Sequence, residues 1–403
     1  MVEKQLLHTI LSRIKVHALT IRYWDGTTVT YGAGRAKVTL TIASPKVIRA
    51  LAKNLSLGFG EAYMSGDIKL KGRFQDLIQV LCDNQKLFSK MRLSQLAHLP
   101  QLNHKGAQKR QIQHHYDVGN DFYKLWLDRE VMAYSCAYYK SSDDSLETAQ
   151  RQKINHILRK LQLDKGMSLL DIGSGWGNLL IAAAKEYGVS GLGITLSQEQ
   201  LKHSQAAAKR AGVDKLVRFE LANYQDLPAR GEKFDRIVSV GMYEHVGKGN
   251  HGTYMKAVQD MLVDGGVSLL HTISGDELKG GTDPWMDRYI FPGGYVPAIN
   301  EVVRDLAKYD FYLTDYESLR LHYAMTLDEW LRRFEANKTK VVKMFDQRFY
   351  RMWQMYLGVC AGNFRYGGLD LSQFVFTKGV NNGLPLTREF LYNSSTQNRK
   401  KTR

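Results

Sequence analysis

Only three cysteines stand in this chain of 403 residues: Cys82, Cys136 and Cys360. Such sparse usage supplies no disulfide framework and suggests a reducing compartment. No apolar run of about 20 residues occurs, so no membrane-crossing helix is expected. The opening residues, MVEKQLLHTILSRIK, are amphipathic and lack the apolar core and small-residue cleavage site of a secretion signal. There is no internal repeat, and no zinc-finger, RRM or similar motif argues for a nucleic-acid partner. A Cys/His/Glu zinc site is conceivable from residue types, but no paired ligand spacing supports one, and no metal is expected.

Charge is plentiful and unevenly placed. Lys and Arg number 56 against 40 Asp and Glu, a net charge of +16. Residues 1–110 hold 18 basic against 6 acidic side chains, residues 111–383 hold 33 of each, and residues 384–403 hold 5 against 1. A basic flank beside a neutral body implies an anionic partner surface, for which nucleic acid and lipid headgroups both qualify; plain solubility is the bland explanation. The length exceeds the roughly 250–300 residues that one core serves, so two domains are expected.

Residues 1–90 read as a small α+β unit. A helix opens it, and IKVHALTIRYWDGTTVTYG alternates on both sides of Asp25-Gly26, a hairpin signal. AKVTLTIASP repeats the alternation, Pro45 starts a short helix, and FQDLIQVLCDN is a further helix. The intervening LGFGEAYMSGDIKLKG reads as a Gly-rich, turn-rich stretch. Residues 91–113 read as a polar, basic linker, 114–383 as the second domain, and 384–403 as a basic, flexible tail. From about residue 165 strands alternate with helices: MSLLDIG, VSGLGIT, LVRFEL, FDRIVSV and GVSLLHTI are the strands. The fold class is α/β, a doubly wound Rossmann-type sheet, with ligands expected at the carboxyl ends of its strands. Residues 280–365 read as a loop followed by aromatic-rich helices forming a cap, and LSQFVFTKG as a last edge strand.

DIGSGWG at 171–177 follows one strand and opens a helix. Its glycines let the backbone approach a ligand closely. The spacing is G-x-G-x-G, not the G-x-G-x-x-G of dinucleotide sites, and the second strand ends in Thr195, not in an acid for a ribose. This is the usual glycine loop of class I methyltransferases. HHYDVGNDFY, YSCAYY, LLDIGSGWG, GITLSQEQ, RIVSVGMYEHVG, LLHTI, FPGGYVP, HYAMTLDEW and CAGNFRYG then occur in order over about 111–380. Together they resemble the cyclopropane-fatty-acyl-phospholipid synthases and the related mycolic acid cyclopropane synthases. The basic N-terminal unit matches the longer, phospholipid-acting branch.

The resemblance implies S-adenosylmethionine contacts at Tyr134, Ser135, Gly173, Gly175, Thr195 and Gln200, with Asn223 and Tyr224 at the adenine pocket. The mycolic branch has tryptophan where this chain has Tyr224, and aromatic stacking survives that change. It implies methyl transfer to the double bond of an unsaturated acyl chain in membrane phospholipid. It also implies a bicarbonate ion held by Cys136, Glu244, His271, the main-chain N–H of Ile273 and Tyr323, which acts as the base. The chemistry asks for such a site: an alkene is a poor nucleophile, a carbocation follows transfer, and a base must then take a proton from the new methyl group in a dry pocket. Taken singly, Cys136 is more often a packed side chain and His271 and Glu244 ordinary polar residues. Cys360 reads as structural, and His114, His115 and Asp117 as residues that order a helix over the cofactor.

The expected setting is cytoplasmic, peripheral on an anionic bilayer face, with a homodimer implied by resemblance alone. Phe59, Tyr63 and Met64 would either insert into lipid or pack against their own domain. Two alternatives stand beside ring formation. One is a fatty-acyl methyltransferase giving methyl-branched or hydroxylated chains. The other is a non-catalytic lipid- or RNA-binding protein on a methyltransferase scaffold.

Overall fold

The computed structural model describes residues 2–85, 119–278 and 280–392. The 91–113 linker, His114, His115, Asp117 and residues 393–403 lie outside the described residues. The described part of the expected flexible tail is partly docked: Leu391 is buried and its carbonyl accepts from Arg159 at 2.9 Å.

In the N-terminal unit a helix, Val2–Leu11, precedes β1 (Leu19–Arg22), β2 (Thr28–Tyr31), β3 (Val38–Ile42) and β4 (Ile68–Lys71), ordered β2-β1-β3-β4. The β1–β2 hairpin turns at Asp25-Gly26, where Gly26 takes φ +81°. Alternation turns Leu19, Ile21, Leu40 and Ile42 inward. Pro45–Lys53 and Phe74–Asp83 are the expected helices.

The Gly-rich stretch is not a loop. Leu55–Ser65 is a helix, capped by Asn54, whose side chain accepts from Leu57 N–H, and ended by Gly66 in the left-handed region. Its glycines answer to packing: a Cβ on Gly60 would fall 2.2 Å from the Trp285 ring. Tyr63 and Met64 are buried, and Trp285 Nε1 donates to Met64 Sδ at 3.4 Å, so these side chains do not face lipid. Helix Phe74–Asp83 is likewise pressed onto helix Gln347–Tyr366, with Phe74 and Ile78 seated over Gly358 and Gly362. One apolar cluster runs through both units, so the N-terminal unit shares a core with the second.

The second sheet has seven strands in the order β10-β11-β9-β8-β5-β6-β7. These are β5 (Ser168–Ile172), β6 (Ser190–Thr195), β7 (Val217–Leu221), β8 (Phe234–Val240), β9 (Leu262–Gly275), β10 (Phe311–Ser318) and β11 (Leu369–Lys378). β5 to β9 are parallel; β11 runs antiparallel between β9 and β10. The sheet is therefore mixed, β11 is an inner strand, and β10 is an edge within a stretch expected to be only loop and helix. FYLTDYES carries little apolar alternation because an edge strand needs little burial. The chain reverses direction of winding between β5 and β8, and their carboxyl ends open the crevice that holds the site.

Candidate active site

The glycine loop leaves β5 with Gly173 at φ +86° and Gly175 at φ +54°. A Cβ on Gly173 would strike Met242 at 2.9 Å, whereas Gly175 has open space before it, so bare backbone faces the crevice. A cavity of about 150 Å³ lies there, and all eight expected cofactor residues line it: Tyr134, Ser135, Gly173, Gly175, Thr195, Gln200, Asn223 and Tyr224. Thr195 Oγ1 donates to Gln200 Oε1 at 2.7 Å, which ties the end of β6 to the next helix. Tyr224 is buried edge-on to Tyr254. Exposed glycine backbone, an aromatic side chain and hydroxyl and amide groups in one crevice fit a nucleoside joined to an amino acid.

Several residues here escaped the sequence reading. Asp128 accepts four main-chain N–H groups, from Glu130, Val131, Met132 and Ala133, and so folds the segment that delivers Tyr134 and Ser135. On helix Leu146–Leu161, Gln150 donates to the Ser135 carbonyl at 2.9 Å and Lys153 to Ser135 Oγ at 3.0 Å. Burial lowers Lys153 to about 8, and burial raises Asp171, the acid opening the glycine loop, to about 7, offset by the nearby Lys153. Asp171 was visible within its motif. Lys153 and Gln150 had no signal, because on a polar helix they look like surface.

A second cavity, about 1800 Å³, shares Tyr134, Ser135, Gly241 and His245 with the first and carries Cys136, Glu244, His271, Ile273 and Tyr323 on its wall. The structure thus gathers all five expected base-site residues, from the segment before β5, the end of β8, β9 and the cap helix Arg320–Ala336. Their geometry is specific. His271 is buried on β9 opposite Gln373 of β11, and Gln373 Nε2 donates to its Nδ1 at 3.1 Å. Burial holds the ring neutral, so its proton sits on Nε2, an atom with no protein partner. Glu244 lies deep in the fold and owes its residual exposure to the cavity. Burial raises its carboxyl to about 7; Oε1 accepts from Ile273 N–H at 2.7 Å and Oε2 has no partner.

Two expectations change in detail. The Ile273 N–H, expected to face an anion, is engaged by Glu244, because a buried carboxylate takes the nearest donor. The Cys136 thiol is buried, held well above its ordinary pKa, and donates to the Ala137 carbonyl at 3.1 Å, so it is an uncharged wall group. The cap aromatics also divide. Trp285, Phe291, Tyr295 and Tyr356 line the cavity. Trp330 and Trp353 pack with Trp126 and Phe122 as core. His245, pushed down to about 4 by burial, stands where the two cavities meet.

Residues 103–374 match the mycolic acid cyclopropane synthetase family. The chain belongs to that family. A domain of unknown function matches residues 6–92. The chain is 38% identical to the cyclopropane-fatty-acyl-phospholipid synthase of Escherichia coli K12, over 88% of this chain and 92% of that one. It is 36% identical to a Pseudomonas putida protein named "Probable fatty acid methyltransferase", over 93% and 96%. A mycolic acid cyclopropane synthase solved with SAH and CTAB superposes with a TM-score of 0.62 at 35% identity, covering 67% of this chain and 98% of that one. As a member of that family, the chain is a class I methyltransferase that uses S-adenosylmethionine to transfer a methylene unit to unsaturated lipid. No described helix is long and apolar enough to cross a membrane, and no three described His, Cys, Asp or Glu side chains form a metal-holding group.

Proposed function

We propose that this synthase converts the cis double bond of an acyl chain carried on a membrane phospholipid into a cyclopropane ring, with bicarbonate held as the base. The observation that carries this is the junction of the two cavities: the crevice walled by the glycine loop opens onto a large, mostly apolar cavity where Glu244 Oε2 and His271 Nε2 stand unpartnered. Bound there, S-adenosylmethionine supplies an electrophilic methyl group and bicarbonate a base. In our reading the eight crevice residues hold the former; His271, Glu244, Tyr323 and the Cys136 wall hold the latter. His271 is a neutral donor fixed by Gln373. A Glu244 carboxyl poised near 7 can carry a proton beside an anion, which removes the repulsion of two fixed negative charges. One proton leaves the new methyl carbon as the ring closes. Tyr134, Phe291, Tyr323 and Tyr356 line this cavity, and their aromatic rings would keep water away from a cationic carbon held there and steady it. Helix Val2–Leu11 on the basic unit, with Val2 and Leu6 exposed, offers an approach to an anionic bilayer.

Incubation with labelled S-adenosylmethionine and oleoyl phospholipid vesicles, with and without bicarbonate, tests this. The expected product is one CH2 heavier, shows ring protons by NMR, and forms slowly in bicarbonate-free buffer. A methyl-branched or hydroxylated chain would defeat ring closure. Bicarbonate-independent turnover would defeat the base assignment, and activity confined to free fatty acid would defeat the phospholipid substrate.

A further inference from the structure

The large cavity does not end at the catalytic groups. It continues into the N-terminal unit, where Leu11, Ile21, Leu40, Ile42, Ile48 and Leu77 line it. The inward sheet face described above therefore borders the same space as Glu244 and His271. Apart from Ser56, Cys82 and Gln85, the N-terminal part of the lining is apolar. Such a wall selects hydrocarbon and rejects a headgroup. The volume, about 1800 Å³, exceeds the roughly 300–1,000 Å³ of a site for one small ligand.

The rest of the lining is more polar. Residues 280–295 bring Thr282, Asp283 and Asp287 to the wall, and Lys248, Asp276, Glu277 and Asn363 also line it. This segment touches both units: Ser56 Oγ donates to Asp283 Oδ1 at 2.7 Å, and Tyr295 N–H donates to the Glu244 carbonyl at 2.9 Å. Segment 280–295 therefore stands between the catalytic wall and the apolar lining of the N-terminal unit, and apolar lining in both units suits a molecule with two tails. Leu6 lines the N-terminal arm while 47% exposed, so that arm also reaches the surface.

We propose that the interior of the N-terminal unit is a second acyl-chain site, which takes the non-reacting tail of the same phospholipid while the unsaturated tail lies against Glu244 and His271. The assignment rests on the phospholipid reading above and adds that the substrate is recognised by both tails. It makes the basic unit part of the binding cavity as well as a membrane contact.

The test uses the full chain and vesicles of a phospholipid with one oleoyl tail and one saturated tail ending in a diazirine. After irradiation, mass spectrometry should find adducts within residues 6–82. Adducts confined to residues 323–371, or none in the N-terminal unit, would overturn the proposal. Independently, Leu40→Trp or the more peripheral Leu81→Trp should lower turnover of diacyl lipid about tenfold by misplacing the paired tail. Both should leave turnover of an oleoyl lysophospholipid within about twofold. Calorimetric S-adenosylmethionine binding serves as the folding check. An equal fall on both lipids would place the reacting tail in this arm and sink the two-tail site. Wild-type labelling in residues 6–82 without any ring formation would instead refute the reaction and spare the site.

Discussion

Replacing Glu244 by Gln should make the protein more stable and nearly inactive. Burial raises this carboxyl from 4.5 to about 7. A raised folded-state pKa means that the neutral form is the favoured one in the fold. Its stabilising contribution is fully present below about pH 4.5 and is lost as pH rises toward and through 7. The displacement corresponds to about 3 kcal/mol at about pH 8. Glutamine keeps the shape and still accepts from Ile273 N–H, but never ionises. Its stability advantage should therefore be small near pH 4.5 and reach about 3 kcal/mol near pH 8, a Tm gain of a few degrees in a chain of this size. Turnover should fall roughly 10²- to 10⁴-fold, the usual worth of a positioned acid–base group. Thermal melts from about pH 5 to 8, beside lipid mass spectrometry, measure both. A variant no more stable than wild type at about pH 8, or one that turns over normally, would refute the argument that this buried carboxyl is kept for chemistry at the expense of stability.

Gln373→Leu removes the donor that keeps the His271 proton on Nε2, and should cut turnover roughly a hundredfold while S-adenosylmethionine affinity by calorimetry stays unchanged. Lys153→Met loses the Ser135 contact and the cation that offsets buried Asp171. It should weaken S-adenosylmethionine about tenfold, with activity recovering at saturating cofactor. Gly60→Leu forces a side chain into Trp285 and should lower stability by about 1–3 kcal/mol in thermal melts.

The sequence alone was enough for the parallel core of the fold, because MSLLDIG, VSGLGIT and FDRIVSV each carry neighbouring apolar residues that are buried, Leu169 with Leu170, Leu192 with Ile194 and Ile237 with Val238, and each is followed by a helical pattern. The glycine loop was legible because only glycine serves at Gly173, where a Cβ meets Met242. The base-site residue types were legible through their motifs, not through any local signal, since a lone cysteine or histidine carries none. Tertiary structure decided the rest. β10 and the inner position of β11 depend on pairing between segments some sixty residues apart, which no local period records. LGFGEAYMSG became a helix because its glycines meet Trp285 and the Ala50 backbone, partners distant in the chain or on the preceding helix, overriding weak helix propensity. The His271 tautomer, the raised Glu244 carboxyl and the cavity joining the two units arise from burial and cross-strand contact, and those exist only once the chain has closed on itself.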